Sequence, residues 1–287
     1  MLPKVFNTKK SLKKVFITSF LSGLIFPLLC TTVNAQGNLL VTPKRVVFEG
    51  SKRSEELNLA NTGKDSATYD ISFIQIRMKE DGSMETITSS DSTQLYADKY
   101  LRFFPRTVTL GPNEAQTVKV QLRKTEAIKA GEYRSHIYFR AVPREKPLGE
   151  PDAKKDNKGI SVKLIPIFGI SLPIIIRIGE STAEANFSNL GIENIDGSDV
   201  LKITLNRKGN MSTYGDIMVD YISTSNKITR VGLIKGLAVY TPNKLRRLNL
   251  PLNKSSEINY HSGKLHIVYT DQSAKATKYA EDYISLN

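Results

Sequence analysis

The sequence predicts an all-β protein built as two β-sandwich domains. Three observations carry that reading. Apolar and polar residues alternate from Leu39 onward, the period that places every second side chain on one face of a strand. Clusters of Gly, Pro and Asn interrupt the alternation at intervals of ~8–12 residues. Only the neighbourhood of Gln94–Leu101 carries any helical spacing. The length of 287 residues suits roughly two domains of ~100–200 residues, each able to bury its own core.

The first element is a targeting segment. Lys4, Lys9, Lys10, Lys13 and Lys14 precede an apolar run from Val15 to Leu29, and the first 35 residues contain no acid. Val33-Asn34-Ala35 then resembles, loosely, the small-x-small exit of a secretory signal. A retained membrane anchor and a lipoprotein cysteine at Cys30 are the other readings. The run is short for a span of ~20 residues, and Leu28-Leu29 lacks the small residue usual before a lipidated cysteine. Cleavage after Ala35 leaves 287 − 35 = 252 residues, a charge of +13 − 5 = +8 and no cysteine. Such a chain holds its fold in an oxidising compartment by packing and sheet hydrogen bonds, without disulfides.

Residues 36–179 form the first predicted domain. Val41, Val46 and Phe48 begin the alternation, and Leu57 and Leu59 continue it to the turn Asn61-Thr62-Gly63. Tyr69, Ile71, Phe73 and Ile76 follow, closed by Lys79-Glu80-Asp81-Gly82. Val108 and Leu110 lead into Gly111-Pro112-Asn113-Glu114, then Val118, Val120 and Leu122 alternate strictly. Tyr133, Ile137 and Phe139 make a further strand. Pro143 to Gly159 breaks the pattern with three prolines and many charges, and reads as a long solvated loop.

The stretch from Ile160 to Ile178 is unusual. Its even positions are apolar throughout, while the odd positions mix Ser, Lys, Gly, Pro and Arg with Ile. It is several times longer than the usual strand of ~5–6 residues. Pro166 and Pro173 cannot donate to a ladder, which argues against a fully paired central strand. Residues 180–287 repeat the β pattern: Leu201 to Leu205, a polar turn over Asn206–Asn210, then Ile217, Val219 and Tyr221, Val231 to Tyr240, Leu265 to Tyr269, and Tyr283 to Leu286.

Several segments in this order resemble the periplasmic chaperones of the chaperone–usher pathway, the PapD-like family, in an atypical branch. They are Thr42 to Phe48, Leu59 to Gly63, Phe104 to Leu110, Glu114 to Val120, Gly131 to Phe139 and Ala141-Val142-Pro143, with Arg207 to Asn210 and Ala238 to Tyr240 in the second half. The resemblance implies two Ig-like domains in a boomerang arrangement and an ATP-independent chaperone of the periplasm of a Gram-negative bacterium. It implies two protein partners, a pilin or coat-type subunit and an outer-membrane usher, with self-association of the free chain. Pilins of that pathway resemble Ig-like domains lacking one strand, and the chaperone lends its own strand to the gap. An exposed hydrophobic edge strand, normally an aggregation liability, is then the working part. The residues expected to be lent are Ile160, Val162, Leu164 and Phe168, with Ile174 and Ile176 expected in the core.

In that family an Arg on the first strand and a Lys on the long strand bind the subunit's terminal carboxylate. Arg45 matches the Arg, where a bidentate pair would give orientation as well as energy. The family's Lys position falls at Pro173, so another cation serves or anchoring differs. The different-class reading is a secreted or surface Ig-like structural or adhesive protein, which would tuck residues 160–168 into its own sheet.

Enzymatic signatures are missing from the sequence: it contains no Gly-x-Ser-x-Gly, no Walker-type loop and no Gly-x-Gly-x-x-Gly. No metal or cofactor is expected. His261 and His266 lie five apart in a strand-like region and would point to opposite faces, and His136 reads as a surface or satisfied core histidine. Asp81, Asp91 and Asp216 read as turn acids. The Lys and Arg residues are dispersed without interleaved aromatics, which disfavours nucleic acid as a partner.

Overall fold

The computed structural model describes residues 39–88, 92–123, 128–143, 166–255 and 258–286. The targeting segment, most of the Pro143–Gly159 loop, Asp91, and Ile160, Val162 and Leu164 lie outside the described residues. The described residues form eighteen strands and one short 3-10 turn. That turn, Asp98–Tyr100, is all that the helical spacing around Gln94–Leu101 produces.

Two sheets enclose the first core. One runs β1 (Leu39–Thr42), β3 (Ser54–Asn61), β9 (Ala115–Leu122), β7 (Leu101–Phe104). The other runs β2 (Val46–Phe48), β11 (Gly169–Ile178), β10 (Gly131–Val142), β4 (Ala67–Ile74), β8 (Thr107–Leu110). Val118, Val120 and Leu57 from one sheet meet Phe48, Phe139 and Ile174 from the other. The period-two residues are the ones turned inward, because strand side chains alternate across the sheet. Asn61 holds two turns together from a fully buried site. Its amide donates to the carbonyls of Asp65, Leu110 and Gly111, and its side-chain oxygen accepts from the Gly63 N–H.

A second pair of sheets encloses the second core. One runs β12 (Glu184–Ile195), β13 (Ser198–Lys208), β16 (Leu245–Pro251). Its partner runs β15 (Ile228–Val239), β14 (Thr213–Ile222), β17 (Gly263–Asp271), β18 (Lys278–Leu286). Leu201, Ile203 and Leu205 pack against Ile217, Val219, Ile267 and Tyr269. The expected turn over Asn206–Asn210 starts later, because β13 stays in the ladder through Lys208. Gly209 makes the corner at φ +84°, and a Cβ there would lie 2.0 Å from the Thr182 carbonyl oxygen. Only glycine tolerates that combination of backbone sign and close approach.

Three further expectations are corrected. Ile76 does not extend β4; it starts β5 (Ile76–Met78), which pairs with β6 (Met84–Thr86) as a separate hairpin. His261 sits in the turn before β17, not in the strand that carries His266. Asp216 lies within β14, where its carboxylate accepts from the Gly236 N–H and from Gln272.

Candidate functional site

The site begins with β11. Its even face supplies Leu172, Ile174 and Ile176 to the first core, as the alternation requires. Toward the N-terminus the same face leaves the core: Leu172 is 6% exposed, Ile170 is half-buried, and Phe168 is 57% exposed. Ile167 beside it is also exposed. The main chain stays anchored on one side, where the Ala141 N–H donates to the Phe168 carbonyl at 2.9 Å. On the other side β2 pairs with β11 only at Ile174, Ile175 and Ile176. The apolar face of Phe168 to Leu172 therefore lies beside strand edge that β2 does not cover. Of the four residues expected to be lent, Phe168 is the one described, and it is exposed; the other three lie outside the described residues.

Arg45 stands at the end of that short parallel ladder. Continuing the register of Val46 with Ile174 by one residue sets Arg45 beside Pro173, the position at which the resemblance led one to look for a lysine. The Arg45 guanidinium packs over the Tyr214 ring, 4.1 Å from its centroid, and 5.7 Å from that of Tyr240. Its Nη1 is enclosed and has no hydrogen-bond partner among the described residues. A cleft of about 550 Å³ opens here, lined by the cations Lys44, Arg45 and Arg177, the carboxylates Glu49 and Asp271, and Tyr214 among others.

A second guanidinium, on β10, is not among the residues that line the cleft but shares the Tyr240 ring with Arg45. Arg134 is 1% exposed and packs 4.2 Å from the centroid of the same Tyr240 ring. Its Nη2 donates to the Thr241 carbonyl and to Gln94 Oε1 at 3.2 and 3.3 Å, while Nε and Nη1 have no partner among the described residues. Burial pushes this guanidinium below the ordinary arginine range, with Tyr240 and Glu132 opposing the shift and Arg45 adding to it. His136, opposite Pro173 in the β10–β11 ladder, is 3% exposed. Burial first and the Arg134 charge second push it down to about 3. It is thus neutral near pH 7, and its Nδ1 has no partner among the described residues. His136 is buried, as one of the two expected placements had it, but it is not a satisfied core histidine.

The neighbouring carboxylate, Glu132, is fully committed. Its Oε2 accepts from Arg177 Nε at 3.1 Å and from the Ser212 N–H at 3.0 Å. Its Oε1 accepts from the Ser212 hydroxyl and, at 3.4 Å, from Thr241 Oγ1. Arg177 also donates to the Ser212 carbonyl at 2.9 Å. This network joins β10 and β11 to β14 and the segment after β15, so it fixes the walls of the cleft. Arg45 and Arg134 lie outside it. A buried charge without a hydrogen-bonded counter-charge is costly, and the arrangement suits an incoming anion. A carboxylate binds a single guanidinium through two of its N–H groups in a planar fork. Among the described residues no group of three or more His, Cys, Asp or Glu could hold a metal ion.

Sequence reading picked out Arg45 and Phe168 but not Arg134, Tyr214 or Tyr240. The signal for Arg134 is present in Glu132, Arg134 and His136 alternating with Tyr133, Ser135 and Ile137 in a strand buried on both faces. Charged residues at a buried period-two face mark a polar network.

No family model matches the chain, and no curated protein matches it. Solved structures do. A class 5 fimbriae chaperone, CfaA, is 16% identical over 87% of this chain and 99% of its own, with a TM-score of 0.42. The CupB2 chaperone of Pseudomonas aeruginosa is 12% identical over 86% of this chain and 100% of its own, with a TM-score of 0.41. The Salmonella enterica SafA pilin in complex with the SafB chaperone matches at 12% identity, 87% of this chain and 96% of that one, with a TM-score of 0.39.

Proposed function

We propose that this chain is an ATP-independent periplasmic chaperone that caps pilin or fimbrial-type subunits. It does so by lending the apolar face of the segment leading into β11, and it passes the capped subunit to an outer-membrane usher. The N-terminal targeting segment delivers it to the periplasm. The observation that carries the reading is the gradient along one face of β11 and the residue before it, from buried Ile176 and Ile174 to exposed Phe168. A strand with its root in a core and an apolar edge that no described strand covers is suited to β-augmentation, in which backbone hydrogen bonds supply affinity and alternate side chains fill pockets.

The subunit's terminal carboxylate then docks on Arg45, with Arg134 as the second cation in place of the family's lysine. Pro173 cannot carry a charge, and Arg134 reaches the same Tyr240 ring from the adjacent strand. The test is co-purification from the periplasm of wild type, of Ile160→Arg/Val162→Arg, and of Arg45→Ala. One small β-rich subunit bound stoichiometrically to wild type, and lost from both variants, supports the reading. Equal yield from the double variant removes the strand-lending assignment and leaves a structural module.

A further inference from the structure

The β5–β6 hairpin reaches from the first pair of sheets to the second. Two three-residue strands are too short to persist alone, so docking must hold the hairpin. Its tip is preformed. Asp81 Oδ1 accepts from the Ser83 N–H at 2.8 Å and the Ser83 hydroxyl at 2.6 Å, and the Gly82 N–H donates to the Lys79 carbonyl at 2.9 Å.

Four contacts then seat the hairpin on β16 and the turn before it. The Arg247 N–H donates to the Glu80 carbonyl at 2.6 Å, which satisfies part of the free edge of β16. The Arg247 guanidinium pairs with the Glu80 carboxylate. Asn243 Nδ2 donates to the Met78 carbonyl at 2.8 Å. The Arg246 guanidinium lies flat on Gly82: a Cβ added there, at φ +85°, would sit 2.3 Å from Nε and Nη2.

The hairpin's base leads to the cation pair. The Ile76 carbonyl accepts from Gln94 Nε2 at 3.4 Å, and Gln94 Oε1 accepts from Arg134. Met78 is buried in a small apolar cluster with Ile175, Ala238 and Tyr240, against which Val47 and Tyr214 pack. Tyr214 and Tyr240 are the rings that carry Arg45 and Arg134. A shift of the hairpin therefore displaces both rings relative to both cations.

We propose that the β5–β6 hairpin is a clasp, and that Glu80, Gly82, Asn243, Arg246 and Arg247 are positioning residues for the Arg45–Arg134 anion site. The clasp sets the angle between the two pairs of sheets; its effect on carboxylate binding rests on the reading proposed above.

The test uses the full chain with Cys30→Ser and spin labels at Lys119→Cys and Lys235→Cys, one on each pair of sheets. Wild type should give one narrow distance distribution. Gly82→Val and Glu80→Arg should broaden it, and Glu80→Arg/Arg247→Glu should narrow it again. In parallel, sodium acetate is titrated against the Nε–H resonances of Arg45 and Arg134. The clasp variants should bind acetate at least threefold more weakly, with recovery in the charge-swapped pair. Unchanged distances overturn the clasp, and the charge swap keeps that outcome decisive if Gly82→Val does not fold. Changed distances with unchanged acetate affinity overturn the positioning role. Acetate that shifts neither arginine in wild type defeats the anchor reading instead, and the distances alone then judge the clasp.

Discussion

Arg207 and Arg134 are both buried guanidinium groups near Glu132, and the protein treats them in opposite ways. Arg207, 7% exposed on β13, spends its hydrogens on main chain. Nε donates to the Asn243 carbonyl at 2.8 Å, and Nη1 donates to the carbonyls of Gly209 and Met211 at 2.8 and 2.9 Å. It locks the Gly209 corner to the turn that bears Asn243. Arg134 makes two bonds and leaves two nitrogens enclosed and unpaired among the described residues. A satisfied buried arginine is architecture; an unsatisfied one near a second incompletely paired arginine is what the proposed anion site requires. The difference separates stability from function, and each half can be broken on its own.

The largest expected effect falls on the architectural side. Arg207→Ala strands three carbonyls, each costing on the order of 1–3 kcal/mol when left buried and unpaired, less where water reaches. The net loss should be about 3 kcal/mol or more, read as a lower urea midpoint with an unchanged slope. Anion binding at Arg45 should survive in whatever fraction stays folded.

The next effect is a pH dependence arising from the unbalanced side. In the unfolded chain His136 titrates near its ordinary 6.5, and in the folded chain near 3. As pH falls below 6.5 the unfolded chain takes up a proton that the folded chain refuses. Stability is thus full above ~6.5 and declines down to ~3, by up to ~1.4 kcal/mol per pH unit. Denaturant titrations between pH 7 and 4 should show the slope, and His136→Gln should remove its share. Arg134→Met should flatten it in part, since one of the two causes of the shift disappears.

Arg134→Met sharpens the comparison most directly. Arg134→Met removes a buried, incompletely paired charge but strands the Thr241 carbonyl and Gln94 Oε1, and the two effects oppose one another. The folding free energy should therefore change by only about 1 kcal/mol, despite near-complete burial. Acetate perturbation at Arg45, and subunit capture, should fall sharply. A destabilisation as large as that of Arg207→Ala would show that Arg134 is architecture too.

The architecture was largely legible in the sequence, and the proposed anion site only half so. Val118, Val120, Leu122, Ile174 and Ile176 lie where period two puts them, because a sheet buried on one face enforces its register. The turns at Asn61-Thr62-Gly63 and Gly111-Pro112-Asn113-Glu114 were legible because their backbone geometry demands those residue types. Arg134 was not, since its neighbours arise from chain distant in sequence: Tyr240 and Thr241 come from the segment just after β15. The β5–β6 hairpin was missed because three-residue strands carry too few residues to show a period. Arg45 and Phe168 were singled out through resemblance and alternation together, and the register sets Arg45 beside Pro173.

The smallest expected effect on folding is at Phe168, where the effect on function should be complete. Phe168 stands one residue before β11, on the same alternating face as Leu172 and four residues from it. Leu172 is enclosed in the first core, and burying a charge there would be costly. Phe168 is more than half exposed and stands outside that core. Phe168→Arg should thus change stability by no more than about 0.5 kcal/mol, the range of ordinary surface substitutions. If the exposed face is lent to a subunit, the same substitution places a charge in the subunit's apolar groove, and co-purified subunit should disappear. Loss of capture with unchanged stability identifies the exposed end of β11 as a binding element. A drop of several kcal/mol would mean that Phe168 packs as core, and that the strand serves the chain's own sheet.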